Sequence, residues 1–481
     1  MKFNLNDKRA TLKSAIYDLG FILSYITAQI YHYFEYFKNQ YIEYIVFIFL
    51  VLITLIGFEL KLNIKNVNPK KITKTLFKIN LIFILFLLIL LGSILSIWPY
   101  GANHTNFNTF LIFVLLTVYG LNFYDTKSLN LNLLKNHKFL LYSLVILYLS
   151  AGLHKMNFDF YDPEKSCANW YHIKLFKRFF ETAHIENLPY FIKYISPKIV
   201  GLIEILSPLL LLFKSTRLVG VYLLIFIHSY LGLGGFSDFS SLAFCILFLY
   251  FPIAFKNNTL WIKKISLHFL SSYLIFGICL ISYFFYNDQK EKLQTLQGLI
   301  LIFSVFNILN FKNSKKNNFQ FDKKIYKLKD SFVFIPISIL FLFSISTYFG
   351  YRSGGNFNMF SNLKFVGHFN NHLFMKKFDL FKYETEVFKV LKSSDETIFA
   401  EVLEQGDWIT KSGLDLAYSK IIKMNIQNSF FILIKTKNNQ LISLNPENIR
   451  SFLGPQKNWL FYKTYMYSFL PDDSPENVCR W

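Results

Sequence analysis

The sequence predicts an all-α polytopic membrane helix bundle of about eleven spans, carrying a small α+β domain outside the membrane at its C-terminus. Three observations predict it. The composition is 53% hydrophobic and 19% aromatic, with 57 Phe but only 17% charged residues; a soluble domain carries about 25% charge. Windows such as Ile79–Trp98 hold no charge at all, which suits a helix of about 20 residues crossing a hydrocarbon core of about 30 Å. Basic residues also collect in alternate loops, as the positive-inside rule requires.

In chain order the apolar stretches fall at 15–33, 41–60, 79–98, 107–124, 139–155, 191–213, 217–235, 239–255, 265–286, 295–311 and 331–350. The first contains Asp18 and Gln29, and no small-residue cleavage site follows it, so no cleavable signal peptide is expected. Lys2, Lys8, Arg9 and Lys13 precede it. Lys61, Lys65, Lys70, Lys71, Lys74 and Lys78 lie between spans two and three, Lys214 and Arg217 between six and seven, and Lys256, Lys263 and Lys264 between eight and nine. Lys312, Lys315, Lys316, Lys323, Lys324, Lys327 and Lys329 lie between ten and eleven. With eleven spans these loops share one side. The N-terminus is then cytoplasmic and the C-terminus outside, as in a multi-pass protein of a bacterial inner membrane. The net charge of +21 is thereby explained by loop lysines, and no nucleic-acid partner is expected. The mean hydropathy of +0.33 agrees with membrane lipid as the main surroundings. Three parts follow: N-terminal spans and a basic loop (1–74), a transmembrane core (75–350) and an extracytoplasmic α+β domain (351–481).

Two regions break the apolar pattern. Asn157–Asn187 sets Trp170, Tyr171, Leu175, Phe179 and Phe180 among charges, as an interfacial helix does. Beyond Tyr351, strands are predicted at Val387–Lys392, Ile398–Leu403, Phe430–Lys435 and Gln440–Leu444, with a helix at Leu414–Met424. Cys245 and Cys279 lie in predicted spans as packing residues, whereas Cys167 and Cys479 both fall outside, where a disulfide between them is permitted. His368 and His372 are four apart, but Gly367, Asn370 and Asn371 around them read as loop, so no metal is expected.

Ionisable groups in or at the ends of spans are costly and default to functional roles. Lys155 closes the fifth span in Leu149-Ser150-Ala151-Gly152-Leu153-His154-Lys155-Met156. Small residues there allow close approach of another helix or a ligand. A lysine in an apolar setting tends to lose its charge and can act as a base; the alternative is a lysine that snorkels to the headgroups. His104 opens the fourth span and His228 ends the seventh, at the same outer level as Lys155; their imidazoles are placed to donate hydrogen bonds to a developing oxyanion. Glu204 lies mid-span and needs a partner or a proton. Two roles stay open for it, tuning Lys155 or locking two helices together.

Several of these stretches resemble the HTTM membrane domain of the vitamin K-dependent gamma-carboxylase-like family. Asn103-His104-Thr105 is similar to the family's asparagine–histidine motif, and Ala151-Gly152-Leu153-His154-Lys155-Met156 to its AGLKKL motif, with His154 in place of the first lysine. Gly201-Leu202-Ile203-Glu204, Ser215-Thr216-Arg217, His228 and Gly234-Gly235-Phe236-Ser237 follow in the family's order, and Asn358-Met359-Phe360-Ser361 resembles the segment that opens its outer domain. The resemblance implies a reduced quinone (vitamin K hydroquinone or menaquinol type) as cofactor, with Lys155 as base and His104 steadying the oxyanion. Asn103, His154, Glu204 and His228 are the expected cofactor-binding residues. Oxygen-dependent quinol epoxidation would drive carboxylation of a secreted peptide or protein carrying glutamate. The domain after the spans is shorter than in animal carboxylases, so regions that bind such a substrate would be reduced. The alternative is a non-enzymatic membrane partner in the maturation, export or immunity of a secreted peptide.

Overall fold

A computed structural model of the chain describes residues 18–29 and 48–59 with single-residue gaps, 69–98, 103–126, 133–177, 188–213, 215–233, 237–247, and 328–461 with short gaps. The predicted spans at 265–286 and 295–311, with Cys279, His368 and Cys479, lie outside the described residues.

Helices dominate up to residue 350. They are α1 (Pro69–Ile97), α2 (Asn103–Thr126), α3 (Leu133–His154), α4 (Phe158–Tyr161), α5 (Cys167–Lys177), α6 (Tyr190–Leu212), α7 (Arg217–Leu233), α8 (Ser237–Leu247) and α9 (Phe334–Ser344). A 3₁₀ turn (Ser346–Phe349) follows α9. Pro69 begins α1, where its missing N–H costs nothing. Among the described residues, three helices are long and apolar enough to cross a membrane: Lys71–Ser96 in α1, Asn103–Tyr124 in α2, and α6. In α1, Ile79, Phe83, Phe86 and Leu90 are buried while Phe77, Leu81, Leu85 and Leu88 are exposed. A helix apolar on every face suits a low-dielectric surround on its outer side. The amphipathic stretch after α3 forms α4 and α5 in place of one continuous helix.

The chain forms two compact units, each discontinuous in sequence. The first comprises Met1–Ser93, Phe107–Val145 and Leu206–Leu340. Amides are paired inside it. Asn108 Nδ2 donates to Gln29 Oε1 at 2.6 Å, and the Tyr25 hydroxyl donates to Asn108 Oδ1 at 2.6 Å. The Tyr119 hydroxyl donates to Asn80 Oδ1, also at 2.6 Å. Such bonds hold apolar helices in register where burial alone cannot discriminate between faces.

The second unit comprises Ile94–Asn106, Ile146–Ile205 and Phe341–Trp481. Its C-terminal part holds an antiparallel sheet of β1 (Val387–Ser393), β2 (Trp408–Thr410), β3 (Ile432–Thr436) and β4 (Leu441–Leu444), in the order β2-β1-β3-β4. The register of β1 on β3 shifts between Val390 and Lys392, a bulge that leaves Leu391 exposed. Helices α10 (Lys411–Lys423) and α11 (Ile449–Leu453) supply Leu414, Tyr418, Ile421, Ile449 and Leu453 to one core with Phe388, Val390, Ile432 and Ile434 of the sheet. The strand predicted at Ile398–Leu403 is corrected: Phe399 and Leu403 are helical, and the missing strand is β2. Apolar residues at 398, 399, 402 and 403 follow the helical period, not the alternation of a strand.

Asp415 in α10 is buried, and its Oδ1 accepts a bond from Arg450 Nη1 at 2.7 Å. Replacing Arg450 with Ala removes this charge-assisted bond to a buried carboxylate. Expected is a loss of roughly 1–3 kcal/mol in the local stability of this sheet, read as faster hydrogen exchange of the β1 and β3 amides.

Candidate functional site

Lys155 and Glu204 meet inside the second unit, with Nζ to Oε2 at 2.7 Å and side chains 4% and 11% exposed. The local sequence makes this approach possible. A glycine lies three residues before each charge, and side chains on a helix lean back over the preceding turn. A Cβ at Gly152 would meet Ile205 Cγ1 at 2.6 Å and the Glu204 carbonyl carbon at 3.3 Å. A Cβ at Gly201 would meet the Tyr161 hydroxyl at 2.8 Å. The end of α3 can therefore touch the backbone of α6 at the turn that carries Glu204. Lys155 Nζ also stands 5.8 Å from the centre of the buried Phe160 ring, a cation–π distance. Burial, and then the Glu204 carboxylate, raise the Tyr161 phenol above its usual pKa.

A polar latch covers the turn that follows Lys155. Asn157 caps α4 by accepting from the Phe160 N–H at 2.8 Å. Its amide donates to the His154 carbonyl at 2.8 Å and to the Ser361 carbonyl at 2.5 Å. Asn371 reaches across, its Nδ2 shared among Asp159 Oδ2 at 3.0 Å, the Asn362 carbonyl at 2.8 Å and Asn157 Oδ1 at 3.3 Å. Lys364 Nζ pairs with Asp159 at 3.3 Å. His372 bonds by both ring nitrogens. Its Nε2 contacts the Leu153 carbonyl at 3.1 Å, and its Nδ1 accepts from the Phe374 and Met375 N–H groups at 3.1 and 3.0 Å. Two amide donors on Nδ1 require the neutral, Nε2–H ring. His372 is a loop residue, and its ring serves the latch.

The asparagine–histidine motif enters the same unit from α2. Asn103 Oδ1 accepts from the Phe357 N–H at 2.5 Å, and Asn106 Nδ2 donates to the Gly355 carbonyl at 2.7 Å. Phe357 has φ 69°, a left-handed conformation that costs a residue of this size about 1–3 kcal/mol. The Asn103 bond and the packing of its ring on Phe343, 5.8 Å between centres, hold it there. His104 is buried beside Asn103. His154 is fully buried, and its ring faces the Phe357 and Ser344 carbonyls without a hydrogen bond of normal geometry. The backbone of Phe357 thus joins Asn103 on one side to His154, the neighbour of Lys155, on the other.

Among the described residues of this unit, several buried polar atoms have no hydrogen-bond partner. They include His154 Nδ1 and Nε2, Tyr348 Oη, Ser346 Oγ and Asn356 Oδ1. The Tyr348 ring is 5.4 Å from His154 and 5.0 Å from Phe365. Nearby, the Arg352 guanidinium lies buried 4.6 Å from the Phe343 ring centre. Each unmet buried polar group costs about 1–3 kcal/mol, and the rings of two of these residues, His154 and Tyr348, lie side by side.

Lys155, Glu204, His104, Asn103 and His154 all belong to the second unit. His228 belongs to the first, where Nδ1 meets Ser240 Oγ at 3.2 Å and its ring packs on Phe239 and Phe244. No family model, curated protein or solved structure matches the chain. Cys167 is disulfide-bonded to a partner outside the described residues, and Cys245 is free and buried. Among the described residues no group of three His, Cys, Asp or Glu is placed to hold a metal ion. Sequence reasoning missed Asn157, Tyr348, Asn356 and Asn371. Asn157 alone was signalled locally, as an asparagine three residues before the Phe160 amide it caps.

The ion pair and the latch can each be tested. Glu204→Gln leaves a buried ammonium without its counter-charge and costs about 3–5 kcal/mol, while Lys155→Met with Glu204→Leu recovers most of that loss; thermal unfolding of the four proteins in detergent measures the cycle. The latch responds to pH. Burial lowers the His372 pKa below its usual 6.5, the Leu153 carbonyl opposing this only in part. The folded latch therefore binds fewer protons than the unfolded chain, and its stability is complete above about pH 6.5 and lost as pH falls below it. Hydrogen exchange at Phe374 and Met375, corrected for its intrinsic pH dependence, should accelerate from pH 7 to pH 5. His372→Gln should remove that dependence.

Proposed function

We propose that this is a multi-pass membrane enzyme with a site on the outer side, in which Lys155 acts as base toward a reduced quinone. The buried Lys155–Glu204 pair, next in sequence to the unsatisfied His154 ring, is the observation that carries this reading. A quinol arriving laterally through lipid would meet an aromatic-walled site of Tyr348, Phe357 and Phe365, with His154 and Tyr348 offering hydrogen bonds to its hydroxyl oxygens. When bound, the quinol supplies reducing power for an oxygen-dependent epoxidation, which the resemblance couples to carboxylation of a glutamate-bearing peptide.

The protein's own residues do three things in this scheme. Lys155 takes the hydroxyl proton; it can do so only when its own proton resides on Glu204, and the 2.7 Å contact lets that proton pass within the pair. The ammonium so formed lies beside the protonated Glu204, and its charge is balanced by the oxygen that becomes negative. His104, next to Asn103 in the same buried turn, supplies a donor toward the oxygen that becomes negative. The proposed topology has eleven spans, the N-terminus in the cytoplasm of a bacterium and the 351–481 domain outside.

The test is anaerobic binding of menaquinol or vitamin K hydroquinone to the purified protein, then an oxygen pulse and analysis for quinone epoxide. Epoxide is expected from the parent, and Lys155→Met should lower its rate by roughly 10²–10⁴ while binding persists. Equal rates in both would remove Lys155 from the chemistry. Absence of both binding and epoxide would favour a non-enzymatic partner of a secreted peptide.

A further inference from the structure

We propose that residues 374–381 form an interfacial strap that seats in the headgroup region of an anionic lipid bilayer. Within eight residues Phe374, Phe378, Leu380 and Phe381 are 78%, 62%, 59% and 47% exposed. That much contiguous apolar surface marks an interaction site. The segment is held firmly in place. The Phe378 and Phe381 N–H groups donate to the Tyr348 and Phe349 carbonyls, each at 3.1 Å, and the Tyr383 N–H donates to Gly350 at 3.1 Å. At its base the Leu373 N–H donates to the Met156 carbonyl at 2.9 Å. The rings of Tyr351 and Phe381 pack with centres 5.1 Å apart. With the Phe378 and Phe381 amides bonded, the rings of Phe374, Phe378 and Phe381 remain exposed.

Its anchor points fix its level. They are the 3₁₀ turn that ends the apolar run from α9, and the turn that ends α3. The end of an apolar helix is where hydrocarbon gives way to headgroups, the zone that Phe, Tyr and Lys prefer. Phe158, 64% exposed, joins the same level through its N–H to the Asn371 carbonyl at 2.9 Å. Charge selects the lipid. The sequence interleaves Lys376, Lys377 and Lys382 with Asp379 alone, a balance of three positive charges against one negative. Lys376 is exposed. Aromatic residues alternating with lysines suit a surface of anionic phospholipid. The strap is independent of any chemistry at Lys155.

The full-length protein carrying p-benzoylphenylalanine at position 374 or 378 is irradiated in phosphatidylcholine vesicles with and without phosphatidylglycerol, and in its native membranes. Position 441, where Leu441 is 59% exposed on the sheet, is the control. Phospholipid adducts are expected at 374 and 378 and absent at 441. Phosphatidylglycerol should be over-represented relative to its share, and Lys376→Glu should cut that excess by about fivefold, the weight of a single lysine near a charged surface, without lowering total adduct. Three outcomes would each overturn the proposal: no lipid adduct at either position, a cross-link to a second copy, or a cross-link to another protein. Lipid adducts without phosphatidylglycerol preference would overturn its electrostatic half.

Discussion

A charge in an apolar helix pair is tolerated only if its opposite lies within contact distance, and in this protein that constraint binds Lys155 to Glu204. The pair needs its two backbones closer than ordinary side chains allow. Gly152 provides the space between the helices, and Gly201 makes room for the Tyr161 hydroxyl, each three residues ahead of a charge of the pair. Close approach then fixes the rotation of both helices, because a turn of either one would bury an unpaired ion. Small residues and ionic partners are thus two halves of one requirement, and neither would hold the helices alone.

Everything that follows Lys155 in the chain depends on that placement. The α3 helix stops at His154, and the freed carbonyls of Leu153, His154 and Met156 are taken by His372, Asn157 and Leu373. A segment some 200 residues later in sequence therefore closes over the lysine. The same return of the chain carries Phe357 into a strained left-handed conformation, held by Asn103. Strain of this kind persists where the surroundings over-determine it, and such places concentrate at functional sites. His154 and Tyr348, whose rings lie 5.4 Å apart, both carry unsatisfied polar atoms. The strained Phe357 and these unsatisfied groups cost stability in this unit, while the sheet of β1–β4 with α10 and α11 is packed as an ordinary core.

Much of the site is legible in the sequence, because the membrane setting makes unusual residues conspicuous. A lysine, a glutamate and histidines in apolar runs stand out against their surroundings, and a glycine three residues ahead of each charge is a local pattern. The latch is not legible there. Asn157 and Asn371 are common polar residues in polar segments, and only their meeting across the fold gives them a role. His372 reads in the sequence as half of an unlikely metal pair, whereas its ring nitrogens serve backbone groups. The stretch at 398–403 misleads because its β-branched and aromatic residues suggest a strand, whereas its apolar spacing at 398, 399, 402 and 403 is helical.

Composition, the charge-free windows and the apolar periodicity by themselves determined that the chain builds long apolar helices followed by a small sheet-bearing segment. These are properties of single stretches, set by transfer free energy and backbone hydrogen bonding within each helix. They also marked Lys155, Glu204 and His104 as costly to bury. Tertiary structure alone decided that Lys155 takes Glu204 as its partner, that Phe357 links Asn103 to His154, and that Asn371 locks the turn after α3. Those choices rest on contacts between residues far apart in sequence, whose energies depend on distances of a few ångströms that no local pattern encodes.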